Sequence, residues 1–247
     1  MPKGLVFYIL LNFIFFAGCS SVYVPNVPNT PMLSSIGELH AGAHISPKGN
    51  ASFNSAYAVS DHFSVMLNGS FMNRDREKKD FTQNLLEAAG GYYTTFGADN
   101  SRILEIYSGL GRGSSLRVLR EVTSDGLVSN ERQQVAFNKF FLQANYSSKQ
   151  KKSLKLFGNR YPLNYGTALR ISHVKMRDFK LNDLEQAGED NIFFEPVFFT
   201  RLKLNQAVQI QYTSGSNFGL KNRDYLTAGS SVFTLGVAIN VGGIRTP

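Results

Sequence analysis

The chain has 247 residues, of which 43% are hydrophobic, 13% aromatic and 18% charged, with one Cys and no Trp. That apolar and aromatic content excludes a disordered chain, and a single Cys excludes a disulfide scaffold or an all-cysteine zinc site. The formal charge of +8 is scattered, with small clusters at 74–79 and 149–155, so neither nucleic acid nor nucleotide is an expected partner.

Lys3 precedes an apolar run over 5–17 that only Asn12 interrupts, and Gly18 and Cys19 follow. The run is shorter than the ~20 residues of a membrane-spanning helix. A basic start, a short apolar segment and small residues at its end predict a signal peptide over 1–18. Phe16-Ala17-Gly18-Cys19 resembles the lipobox of bacterial lipoproteins, with Phe16 where Leu is usual. The resemblance implies that Cys19, the single Cys, is acylated and becomes the first mature residue. Ser20 and Ser21 follow without an acid, which in lipoproteins of this kind implies transport to the outer membrane. Several acyl chains would anchor the chain firmly in lipid. The competing reading is a secretory signal whose Cys is incidental.

Residues 20–35 carry no charge and hold Pro25, Pro28 and Pro31. Proline at this spacing favours extended, polyproline-like chain and opposes a helix or a central strand. Residues 19–35 are therefore expected to be a lipidated, extended tether in the periplasm. Tyr23-x-Pro25-Asn26, Pro31-x-Leu33 and Gly37-Glu38 are together similar to the opening of a group of barrel-forming lipoproteins of Gram-negative bacteria, best represented in the Bacteroidota. The resemblance implies location and architecture, and no activity.

From residue 36 to 247 the hydrophobic period is two. Leu39, Ala41, Ala43 and Ile45 alternate with Glu38, His40, Gly42 and His44. Phe63, Val65, Leu67 and Phe71 alternate with Ser64, Met66, Asn68 and Ser70, and Phe233, Leu235, Val237, Ile239 and Val241 with Thr234, Gly236, Ala238 and Asn240. Ten such runs are predicted, at 36–46, 50–59, 62–73, 83–97, 101–113, 133–147, 166–179, 191–202, 206–215 and 230–241. The seventh loses its alternation near His173, which suggests a bulge. Most runs reach the ~9–11 residues a tilted strand needs to cross a bilayer.

Short connections at 60–61, 98–100 and 203–205 alternate with longer polar ones at 73–82, 114–132, 181–190 and 216–229. Short turns on one side and long loops on the other predict an all-β fold, a single antiparallel transmembrane β-barrel of about ten strands in the bacterial outer membrane. An even strand count places both termini in the periplasm. Two connections depart from this pattern: 47–49 is short, and 148–165 is long and basic. The alternative is a soluble, lipid-tethered barrel or sandwich of lipocalin type, which has the same alternation in the opposite sense. Glu, His, Gln and Arg on the face opposite the apolar one favour the membrane.

Little in the chain predicts chemistry. His40 and His44 are ~13 Å apart along one strand and His62 and His173 lie on others, so no metal is expected. Gly109-Leu110-Gly111-Arg112-Gly113 lacks the spacing of a phosphate loop. Ser172, His173, Asp178 and Asp183 match no hydrolase motif, so neither catalytic residues nor cofactors are expected. The period places Glu38, Glu87, Glu105 and Glu195 inward with Lys139, Arg170 and Arg201, as one paired lumen charge network. A structural or interaction protein is the expected function. It would display the loops at 114–132, 181–190 and 216–228, and its partners would be membrane lipid and a membrane or periplasmic protein. A small channel or transporter for polar solutes is the alternative.

Overall fold

The computed structural model describes residues 21–122, 128–156, 158–227 and 231–243. The signal peptide over 1–18 and the acylation site Cys19 lie outside the described residues. Ten strands form the barrel: β1 (Glu38–Ile45), β2 (Asn50–Ala58), β3 (Phe63–Arg74), β4 (Lys79–Phe96), β5 (Arg102–Val122), β6 (Val128–Leu156), β7 (Asn159–Leu181), β9 (Asp190–Lys203), β10 (Val208–Gly215) and β12 (Val232–Gly242). Two-residue strands β8 (Leu184–Glu185) and β11 (Phe218–Gly219) add short edges on one rim. Every neighbour is antiparallel. β12 pairs with β1, and β7 pairs with β9 to close the ring.

The alternation read from the sequence is the alternation of the wall. Leu39, Phe53, Val65, Leu86, Leu110, Leu142, Ile171, Phe198 and Leu235 face outward and are exposed. Their neighbours His40, Asn54, Glu87, Lys139, Gln143, Arg170, Arg201 and Gln211 face inward and are buried. A soluble barrel must do the reverse, filling its inside with apolar groups. An apolar belt outside and polar side chains inside make this a barrel of the outer-membrane type, and the lipocalin-like alternative falls.

Each of the ten predicted runs contains the core of one strand. The runs are too short on one side of the ring, because β4 to β7 reach 18 to 29 residues while β1 and β10 have 8. Residues 114–122 and 128–132, expected as loop, continue the β5–β6 ladder as far as Val122↔Val128. The long basic connection 148–165 is also corrected. It is a hairpin of β6 and β7, paired from Lys152↔Leu163 to Leu156↔Asn159, that runs past the last β5–β6 pair. Strand length followed cross-strand backbone pairing there rather than apolar content, because a ribbon beyond the belt needs no lipid-facing side chains. The bulge in β7 lies at Arg177, opposite Ala136 and Phe137, and not at His173.

The largest correction concerns the tether. Residues 21–33 run inside the barrel, and Val22, Tyr23, Val27, Asn29, Thr30 and Leu33 are almost entirely buried. They remain extended and outside any strand, as their prolines require. Leu33 lies against Glu105 near the short-turn end of β5, and Val22 lies against Ser115 near the long-loop end. The interval from 105 to 115 is about 33 Å of strand. With a tilt near 40° that is ~25 Å along the axis, the height of the apolar belt of such barrels. Absence of charge in 20–35 fits a polar lumen as well as water, and composition does not separate the two.

Candidate functional site

The lumen is the site, and its walls are organised in two levels. At the first level, Lys139 on β6 reaches Glu87 Oε1 on β4 at 2.9 Å and Glu195 Oε2 on β9 at 3.4 Å. Arg170 Nη1 on β7 reaches Glu87 Oε2 at 3.2 Å and Glu195 Oε2 at 3.9 Å. Arg170 Nε also donates to Gln143 Oε1 at 2.8 Å. All four ionic side chains are buried, so two acids facing two bases form a neutral cluster. Pairing of this kind is the condition for keeping charge out of water. The Phe141 ring lies 4.3 Å from the Arg170 guanidinium carbon and adds a cation–π contact.

Gly111 allows this cluster to form. Glu87, Gly111 and Lys139 are successive partners across β4, β5 and β6. A Cβ at Gly111 would lie 3.0 Å from Glu87 Cγ and 3.5 Å from Lys139 Cβ. The missing side chain opens the space through which ammonium and carboxylate meet over the intervening strand.

At the second level the wall grips the N-terminal segment. Asn145 Nδ2, the Tyr107 hydroxyl and the Leu33 amide donate to Glu105. Arg201 donates to Gln211 Oε1 at 2.6 Å and to the carbonyls of Thr30 and Pro31. Asn29 donates to Asn68 Oδ1 at 2.9 Å, and its carbonyl accepts from Gln143 at 2.6 Å and Asn145 at 3.0 Å. Nearer the long loops, Gln83 mimics a strand. It accepts from the Val24 amide at 2.8 Å and donates to the Val24 carbonyl at 2.7 Å. Ser115 Oγ donates to the Val22 carbonyl at 2.6 Å. Side chains do what a ladder would do, because Pro25, Pro28 and Pro31 lack the amide hydrogens a ladder needs. Tyr23 joins the levels: its ring packs against Phe137 and Phe193, and its hydroxyl donates to Glu195.

Six of the seven sequence-derived lumen charges are therefore buried inside, but they do not make one network. Glu87, Lys139, Arg170 and Glu195 cluster, while Glu105 and Arg201 bind the inserted segment. Glu38 is the exception. It is half-buried at the short-turn rim, where Ser34 and Asn240 donate to it as the segment leaves the lumen for β1. Sequence reasoning missed Gln83, Gln143 and Asn145. They sit on the inward face of readable strands, but their task depends on a segment that was placed elsewhere.

The histidines divide as well. His40 and His44 are buried and lean towards each other over Gly42, where a Cβ would meet their Nε2 atoms at 3.6 and 3.0 Å. Distance along the strand did not foresee this. Among the described residues no three His, Cys, Asp or Glu side chains gather as a metal site. Ser172 faces inward and His173 outward, so they share no site. His173 Nε2 instead meets Asp190, which also binds Lys221 and Arg223.

No protein-family model matches the chain, and no curated protein matches it in sequence. Among solved structures, it is similar to the translocator domain of autotransporter NalP from Neisseria meningitidis, with 11% identity, 82% of this chain and 85% of that chain covered, and a TM-score of 0.49. It is also similar to a chain of the FpvAI–pyocin S2 complex, with 8% identity, 85% of this chain and 41% of that chain covered, and a TM-score of 0.25.

Proposed function

We propose that this protein is a structural or interaction lipoprotein of the outer membrane, closed by its own N-terminal segment. The observation that carries the reading is the passage of residues 21–33 through the lumen, fixed at both levels by buried hydrogen bonds. With long loops outside, this course leads the chain from the outer face down to β1 at the periplasmic rim. Ser21, where the described segment begins, is then on the loop side, and acylation of Cys19 is part of the same proposal. The features available to partners are the β7–β9 loop and residues 216–227 outside and the β6–β7 ribbon on the other side. That ribbon exposes Lys152, Lys155 and Arg160, which suit an acidic protein surface.

Two measurements test the reading. The variant Val22→Cys/Ser115→Cys, made with Cys19→Ala, should lose both free thiols on mild oxidation in native membranes. Thiols that stay reactive would remove the segment from the lumen. In planar bilayers the purified protein should be silent, and deletion of 21–33 should produce conductance. Stable open steps in the unaltered protein would establish the channel alternative.

A further inference from the structure

One row of side chains crosses the outer surface of the wall from β2 to β7. Its successive partners are Phe53, Gly69, Leu86, Arg112, Asn138 and Lys175. All but Gly69 are directed to the outside and exposed, and the Phe53 ring folds over Gly69. The row changes character halfway. Its β2–β4 part is apolar and its β5–β7 part is basic, and Arg177 at the β7 bulge adds a third cation beside Lys175.

The apolar part belongs to a groove of about 680 Å³ in the lipid-facing surface. Phe53, Gly69, Phe71, Leu86, Arg112 and Arg177 are among its lining. Among the described residues neither Arg112 nor Lys175 has an ion-pair partner, and Arg177 pairs only with the exposed Asp178, at 3.4 Å. Unpaired cations on the lipid face of a barrel are unfavourable except near an interface, where headgroups meet them. Strand tilt sets a cross-strand row oblique to the membrane plane, so its two ends lie at different depths.

We propose that this surface is a binding site for a phosphate-bearing, acylated lipid of the loop-side leaflet, of the chemical class of lipid A. An acyl chain lies in the groove beside the Phe53 ring, against Phe71 and Leu86, and Arg112, Lys175 and Arg177 bind phosphate. Neighbouring strands are about 4.8 Å apart, so Arg112 and Lys175 are ~10 Å apart at the backbone and their long side chains converge on one phosphate. Arg supplies a planar fork that matches phosphate oxygens, and Lys adds a point charge. Asn138, between them, is free to donate to a headgroup oxygen. The proposal rests on the outer-membrane reading above and not on the lumen being closed.

The test uses the full mature protein in maltoside micelles, with bis-phosphorylated lipid A as probe and native mass spectrometry as readout. The expected result is a retained lipid. Retention should fall at least tenfold for lipid A stripped of its phosphates, and as much in Arg112→Ala/Lys175→Ala. Both substituted positions are exposed, and a normal heat-dependent gel shift verifies that the variant barrel is folded. Equal retention of the two lipids, or of one lipid by both proteins, would overturn the site. Displacement of the lipid by millimolar inorganic phosphate would also overturn it, by reducing the site to an anion patch without an acyl groove. Bilayer conductance on the same preparation reads the closed lumen separately. Open steps with the lipid retained would refute the closure and leave the site standing.

Discussion

The Tyr23 hydroxyl donates a hydrogen bond to Glu195 Oε1 at 3.2 Å, and so ties the inserted segment to the ion cluster of the wall. A hydrogen bond to a buried carboxylate contributes about 1.5–3 kcal/mol. Tyr23→Phe keeps the ring against Phe137 and Phe193 and removes only this bond. It should lower barrel stability by that amount, read from urea unfolding in detergent. Tyr23→Ala also removes the ring and should cost about 3–5 kcal/mol.

Lys139→Ala leaves Glu87 and Glu195 with one cation between them. Loss of one partner from a buried pair costs about 3–5 kcal/mol, because a charge stays uncompensated. Lys139→Met with Glu87→Gln removes one charge of each sign and should cost clearly less than Lys139→Ala. A double variant as unstable as the single one would show that packing, not charge balance, dominates there.

Gly111→Val places a branched side chain in the gap that Lys139 and Glu87 share. The expected loss is about 1–3 kcal/mol, typical of overpacking. It should not add to that of Lys139→Ala, because both changes break the same contact. Full additivity would place Gly111 outside the cluster's energetics.

Arg120 and Asp80 pair on the β4–β5 hairpin with side chains 36% and 29% exposed. An accessible pair of this kind contributes little and weakens with salt. Asp80→Asn should therefore change stability little, and the difference should vanish at 1 M NaCl. The lumen variants should keep their losses at the same salt.

Acylation is tested by metabolic labelling with a fatty-acid probe. The unaltered protein should take up label and Cys19→Ala should not. A protein that takes up no label in either form would refute acylation, and the lumen contacts of 21–33 would be unaffected.

Local pattern was enough to place the wall. Alternation placed Leu39 and Val65 outside and Glu87 and Glu105 inside, because a strand's side chains change face at every residue whatever its neighbours are. The same period placed the buried charges of β6, β7 and β9. It did not show where β4 to β7 stop, since backbone pairing continues past the belt.

What the sequence determined by itself is the β-barrel, about ten strands and the inward face of most of them, because those follow from a period of two and from turn spacing. Which inward charges meet was decided only in three dimensions. Glu87 finds Lys139 through the gap at Gly111, and Glu105 and Arg201 turn to the backbone of another segment. The place of residues 21–33 was decided there too. An uncharged, proline-spaced strand of chain satisfies its backbone equally in water or against Gln83, Asn145 and Arg201, and only the closed ring brings those side chains together around it.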